Sequence, residues 1–106
     1  MPRGSLPKPV EEFRNRYKAV WEAFEQLGEQ CHRAGPLDEK TRRLVKVALS
    51  IGAGLEGGTH SAVRNAVKAG VTDDELKQVA ARAVTTLGLP AAIRGFTWIS
   101  DTARKS

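Results

Sequence analysis

The sequence predicts an all-α domain. Apolar residues recur at spacings of three and four along most of the chain, and no stretch alternates with period two. Gly and Pro punctuation falls between the periodic segments, where helices stop and start. Five helices are expected.

Residues 1–8 read as a flexible tail, and a single domain is expected over 9–104, with Pro9 at a first helical position. Val10, Phe13, Tyr17, Val20, Phe24, Leu27 and Cys31 then alternate by three and four, a sustained stripe that asks for a partner helix. Gly35-Pro36 stops it. Asp38 is placed to cap a second helix whose apolar face is Leu44, Val47, Ala48, Ile51 and Leu55. A third helix begins around Gly57 to His60, packs Ala62, Val63, Ala66 and Val67, and ends at Gly70. Thr72-Asp73-Asp74-Glu75 is a capping box, with Val71 and Leu76 set as its hydrophobic staple. Leu76, Val79, Ala80, Ala83, Val84 and Leu87 carry the fourth helix to Gly88. Pro90 opens a fifth, with Ile93, Phe96 and Ile99 as its apolar positions and Trp98 beside them.

At 106 residues the chain is one small domain with little core to spare, so self-association is expected. With 41% hydrophobic and 27% charged residues, the composition excludes disordered and collagen-like classes. No apolar run reaches the ~20 residues that span a bilayer, so no membrane partner is expected. The start MPRGSLPKP places Pro where a signal peptide needs an apolar core, and the expected location is cytoplasmic. The net charge of +5 is spread over helices that also carry acids, and no nucleic-acid partner is expected. The nearest thing to a basic cluster is Lys40, Arg42, Arg43 and Lys46. It reads as a solvated face, or as a guide for a small anion.

Several stretches together resemble the carboxymuconolactone decarboxylase and alkylhydroperoxidase D-like family: LDEKTRRLVKVALSIGAG, HSAVRNAVKAGVTDDELKQVAARAV and TTLGLPAAIRGFTWISD. The register is the specific part: an apolar helix, a Gly-rich break, a helix ending in AGVT, a capping box, and G-x-P before the last helix. The resemblance covers roughly residues 20–101. It implies an all-helical domain that forms homo-oligomers, commonly trimers or hexamers, with sites near subunit contacts. It also implies, for the redox branch, a Cys-x-x-Cys pair with a histidine after three intervening residues. Counted back from Gly70, those positions hold Leu55, Gly58 and Ala62 here, and the acid of the proton relay falls on Arg43. Leu and Gly supply no thiolate, so dithiol peroxidase activity is not expected. Cys31, the one cysteine, lies on the first helix's stripe, where it reads as a small core hydrophobe.

What remains in the site segment GLEGGTH is Glu56, Thr59 and His60 beside Gly54, Gly57 and Gly58. Three readings compete. In the plainest, Glu56 offsets a helix dipole, Thr59 caps, and His60 is a bystander. In the second, Glu56 and His60 are an acid–base pair sharing a helix face. Gly57, Gly58 and Thr59 then contact a small carboxylated substrate, and Arg43, or else Arg42 or Lys46, holds its carboxylate. The resemblance, whose decarboxylase side acts on a lactone bearing a carboxylate, implies for that reading lyase or isomerase chemistry on a small carboxylated or lactone substrate, without a cofactor. In the third, the pair would be two ligands of a metal that needs a third; His32, Asp73, Asp74 and Asp101 lack the spacing, so no metal is expected. A non-catalytic assembly or ligand-binding module is the rival from another class.

Overall fold

The computed structural model of the protein describes residues 6–105. Residues 1–5 of the expected tail lie outside the described residues, and the first helix starts at Lys8. The described elements are all helices: α1 (Lys8–Arg16), α2 (Lys18–Arg33), α3 (Glu39–Gly52), α4 (Glu56–Lys68), α5 (Asp73–Leu87) and α6 (Leu89–Lys105). The chain divides into two compact units, one up to Pro36 and one from Leu37 onward.

Among the described residues there are six helices rather than five, because the first helix breaks at Tyr17, where φ is −123° and ψ is 65°. The helical hydrogen bonds survive on both sides of the break: Tyr17 N–H donates to Phe13 O at 2.8 Å, and Trp21 N–H to Tyr17 O at 2.9 Å. Arg14 and Lys18, like charges one turn apart, disfavour a continuous helix across this point. The stripe itself is intact, with the Phe13 and Tyr17 rings 5.1 Å apart and those of Trp21 and Phe24 5.4 Å apart. Yet neither α1 nor α2 contains a buried residue, and Cys31, expected in a core, is exposed. Periodicity records a face; it does not supply the cover.

The second unit is built by strong end signals. The Asp38 carboxylate accepts from Thr41 N–H at 2.8 Å; hydrogen bonding from the Thr41 side chain, and then from this N–H, holds the Asp38 carboxyl below its usual range. At α5 the capping box closes both ways: Glu75 N–H donates to Thr72 Oγ1 at 3.1 Å, and Thr72 N–H to Glu75 Oε1 at 2.8 Å. That backbone donor, then the Lys40 ammonium 3.2 Å away, keeps the Glu75 carboxyl low. Gly70, at φ 91°, ends α4: its own N–H bonds Val67 O, and that of Val71 bonds Ala66 O.

Contacts run in a ring, α3 to α4 to α6 to α5 and back to α3. The core inside it is Val47 and Ile51 from α3, Ala62, Val63 and Ala66 from α4, Val71 with Leu76 and Ala80 of α5, and Ile99 from α6. Helix α6 departs from the expected face. Ile93 and Phe96 are exposed, and the buried positions are Ala92, Gly95, Ile99 and Thr102. The cause is closeness. A Cβ on Gly95 would stand 2.8 Å from Ile51 Cγ2 and 2.9 Å from its Cδ1, so only glycine lets α6 lie this near α3.

Gly95→Ala is therefore expected to lower the melting temperature. Overpacking costs ~1–3 kcal/mol, and only ~1 kcal/mol returns from helix propensity. Ile51→Val in the same chain, by removing Cδ1, should restore part of the loss. A melting temperature equal to or above that of the parent would refute the close approach. No helix among the described residues is long and apolar enough to cross a membrane.

Candidate functional site

The site begins at a tight turn between α3 and α4. Gly54, at φ 72°, lets its N–H bond Ile51 O and that of Leu55 bond Ser50 O, both at 3.0 Å, which ends α3 and re-aims the chain. Leu55 is the residue before α4 and offers no side-chain cap. The backbone N–H groups of Glu56, Gly57 and Gly58 consequently lie in a first turn with no intrahelical acceptor. All three residues are exposed, and a Cβ at Gly57 would meet nothing within 4 Å.

Because α4 starts at Glu56, Glu56 and His60 stand one turn apart on one face, and His60 Nε2 lies 3.5 Å from Glu56 Oε2. Glu56 is largely in solvent, whereas the His60 side chain keeps only 27% of its accessible surface. The other ring nitrogen, Nδ1, is hydrogen-bonded to the hydroxyl of Thr102 on α6. Thr102 Oγ1 in turn donates to Trp98 O at 2.8 Å.

The remaining expected ligand contacts lie elsewhere. Thr59 is fully buried: its hydroxyl donates to Leu55 O at 2.7 Å, so it ties the turn from inside and does not face the loop surface. Arg43 Nε is bound to Glu39 Oε2 at 2.9 Å, and Arg42 Nη2 to Glu39 Oε1 at 2.8 Å. Both cations are thus engaged by an acid one turn away. Arg43 also precedes the end of α3 by roughly 13 Å along the helix axis. Lys46 is exposed on the same helix.

A different cation faces the turn. Arg94 of α6 donates from Nη2 to Ile51 O at 3.1 Å, and its guanidinium lies over the Trp98 ring, 5.1 Å from the centroid. A Cβ on Gly54 would stand 3.7 Å from that same Nη2. Arg94, Trp98 and Thr102 recur one turn apart, so a single edge of α6 serves both the turn and the histidine. Sequence reasoning missed all three; the one available signal was that four-residue recurrence of Arg, Trp and Thr beside the apolar positions.

Among the described residues no three His, Cys, Asp or Glu side chains converge as a metal site would require. An apolar groove of about 430 Å³ opens between α3 and α5, lined by Leu44, Val45, Ala48, Val79, Ala83 and Leu87 among others. No residue from Glu56 to His60 borders it; Ile51 and Gly52 mark its end toward the turn.

Residues 18–101 match the family model described as the carboxymuconolactone decarboxylase family. No curated protein and no solved structure matches the chain.

Proposed function

The chain belongs to the carboxymuconolactone decarboxylase family, and from that premise we propose that it carries out non-redox acid–base chemistry, of the lyase or isomerase type, on a small carboxylated or lactone substrate. The observation that carries this reading is His60, tied to Thr102 on one side and facing Glu56 on the other, beside an uncapped helix start.

In this reading His60 Nε2 exchanges a proton with substrate carbon, and Glu56 orients the imidazolium that forms. In a decarboxylation, the carbon–carboxylate bond breaks and its electron pair passes into the adjacent carbonyl as an enolate. The N–H groups of Gly57 and Gly58 hold the oxyanion. In an isomerisation the imidazolium returns to carbon the proton that Nε2 took from it. In a decarboxylation carbon dioxide leaves and no proton is taken, and the imidazolium that protonates the carbon draws its proton from solvent beforehand. Arg94, rather than Arg43, supplies the cation for a substrate carboxylate: it borders the turn, while Arg43 is occupied by Glu39. Thr59 acts by fixing the turn. The chain works as a homo-oligomer, a trimer or hexamer, through the uncovered stripe of α1 and α2, in the cytoplasm and without a bound cofactor.

A second reading, a ligand-binding or assembly module without catalysis, is favoured by the apolar groove between α3 and α5, which stands apart from the acid–base pair.

The test is a thermal-shift series of small carboxylates and lactones, since a ligand that prefers the folded state raises its stability by mass action. The series is run on the parent chain and on Gly57→Ala. The added methyl meets no protein atom within 4 Å, and alanine gains ~0.5–1 kcal/mol over glycine inside a helix. The free variant should melt at or above the parent temperature, yet show a smaller ligand-induced shift, because its methyl occupies the approach to the N–H groups. Absence of any shift in the parent, or a full shift in Gly57→Ala, would count against the site.

A further inference from the structure

We propose that Thr102 is the positioning residue that fixes the tautomer of His60, so that Nε2 is the nitrogen that exchanges the proton; its importance to catalysis rests on the reading above, while the tautomer itself does not. A single hydroxyl proton decides the tautomer. A threonine hydroxyl carries one donor and two acceptor lone pairs. Thr102 Oγ1 donates that proton to Trp98 O at 2.8 Å, one turn back along α6. What it offers His60 Nδ1 is therefore a lone pair, and Nδ1 must bring the proton to their hydrogen bond. The neutral ring then holds Nδ1–H inward and leaves the Nε2 lone pair outward. Glu56 Oε2, an acceptor 3.5 Å away and largely in solvent, is bonded by that nitrogen only when it carries a proton, in the imidazolium.

The buried Thr102 contact outweighs the solvent-exposed Glu56 carboxylate, which by itself would favour a proton on Nε2. Thr102 is 4% exposed, held on the inward edge of α6 beside Ile99, which is fully buried. The opposite tautomer would require the hydroxyl to swing its proton off Trp98 O and onto the ring. It would also put an N–H, not a lone pair, at the outward nitrogen, where it could not accept a substrate proton. The contact joins α4 to α6 across a long stretch of sequence, so the first turn of α4, which carries Glu56, need not be rigid for the ring to keep its orientation. Trp98 supplies both the carbonyl that orients the Thr102 hydroxyl and the ring on which Arg94 rests. One turn of α6 thereby links the histidine's tautomer to the cation at the α3–α4 turn.

The experiment is long-range ¹H–¹⁵N correlation on the full chain labelled at histidine, recorded where the imidazoles are neutral, with His32 as the internal comparison. His60 should show a protonated Nδ1 and an unprotonated Nε2. Thr102→Val removes the acceptor and should move the population at least several-fold toward Nε2–H; Thr102→Ser should keep the parent pattern. A parent spectrum with the proton on Nε2 overturns the proposal and needs no variant to be stable, as does a Thr102→Val spectrum identical to the parent. These results are separate from the test of the catalytic reading, which is the turnover of His60→Gln. On a substrate found by thermal shift, Thr102→Val should lower kcat several-fold with little change in KM, and Thr102→Ser should restore it. A purely structural role for the threonine would lower the melting temperature without moving the tautomer.

Discussion

Replacing His60 with Gln is expected to reduce kcat by ~10²–10⁴-fold on a carboxylated substrate, the range that a positioned general acid or base contributes. Gln keeps a hydrogen-bonding side chain whose amide reaches where His60 Nε2 now stands, beside the Glu56 carboxylate, while Thr102 keeps its bond to Trp98 O. The fold should therefore hold, which circular dichroism and a melting curve would check. What Gln lacks is a nitrogen that takes up a proton. KM should change little, because the Gly57 and Gly58 N–H groups and Arg94 stay in place. Glu56→Gln should give a smaller loss, since Glu56 acts through the ring and is itself largely in solvent. Unchanged turnover in both variants would remove the pair from the mechanism and leave the ligand-binding or assembly module as the function.

Helix ends were the most legible feature of the chain, because each is written in adjacent residues. The Asp38 cap, the Thr72–Glu75 box and the turn at Gly70 need only a few positions each, and all three form as read. The face of α6 was not legible, and the reason is physical. Hydrophobic periodicity weighs bulk, and so selects Ile93 and Phe96; packing against α3 selects the absence of bulk at Gly95, where Ile51 would otherwise clash. Rotating α6 to suit that contact is what turns Arg94, Trp98 and Thr102 toward the α3–α4 turn.

The candidate site divides along the same line. Glu56, Gly57, Gly58 and His60 lie within one turn and a half of helix, so local spacing sufficed to group them. Thr102 reaches His60 from more than half the second unit away in sequence, and no local pattern contains that pairing. Arg43 illustrates the converse. A resemblance placed it opposite a relay position, but Glu39, four residues earlier and on the same helix face, already claims its guanidinium. That ion pair could have been read from the sequence, and it outweighs a longer-range role.

Phe24→Glu is expected to disperse the homo-oligomer proposed above. Phe13, Tyr17, Val20, Phe24 and Leu27 are 45%, 48%, 55%, 59% and 62% exposed. A single exposed apolar residue is ordinary, but five in one register along two consecutive helices form a surface that water disfavours. Covering a large apolar side chain yields ~1.5–3 kcal/mol, so losing Phe24 alone weakens each stripe contact by about 10- to 100-fold. A carboxylate buried there without a partner adds to that penalty. Sedimentation velocity at micromolar concentration should show a trimer or hexamer for the parent chain and a lower mass for the variant, with helical content unchanged because the position is exposed. Cys31 gives an independent measure from the same face. It lies one turn beyond Leu27, is exposed in the single chain, and is the protein's one cysteine. If a second copy covers the stripe, a thiol reagent should label Cys31 slowly in the parent and quickly in Phe24→Glu. Equal masses together with equal labelling rates would show that the stripe meets water and that self-association, if it occurs, uses another surface.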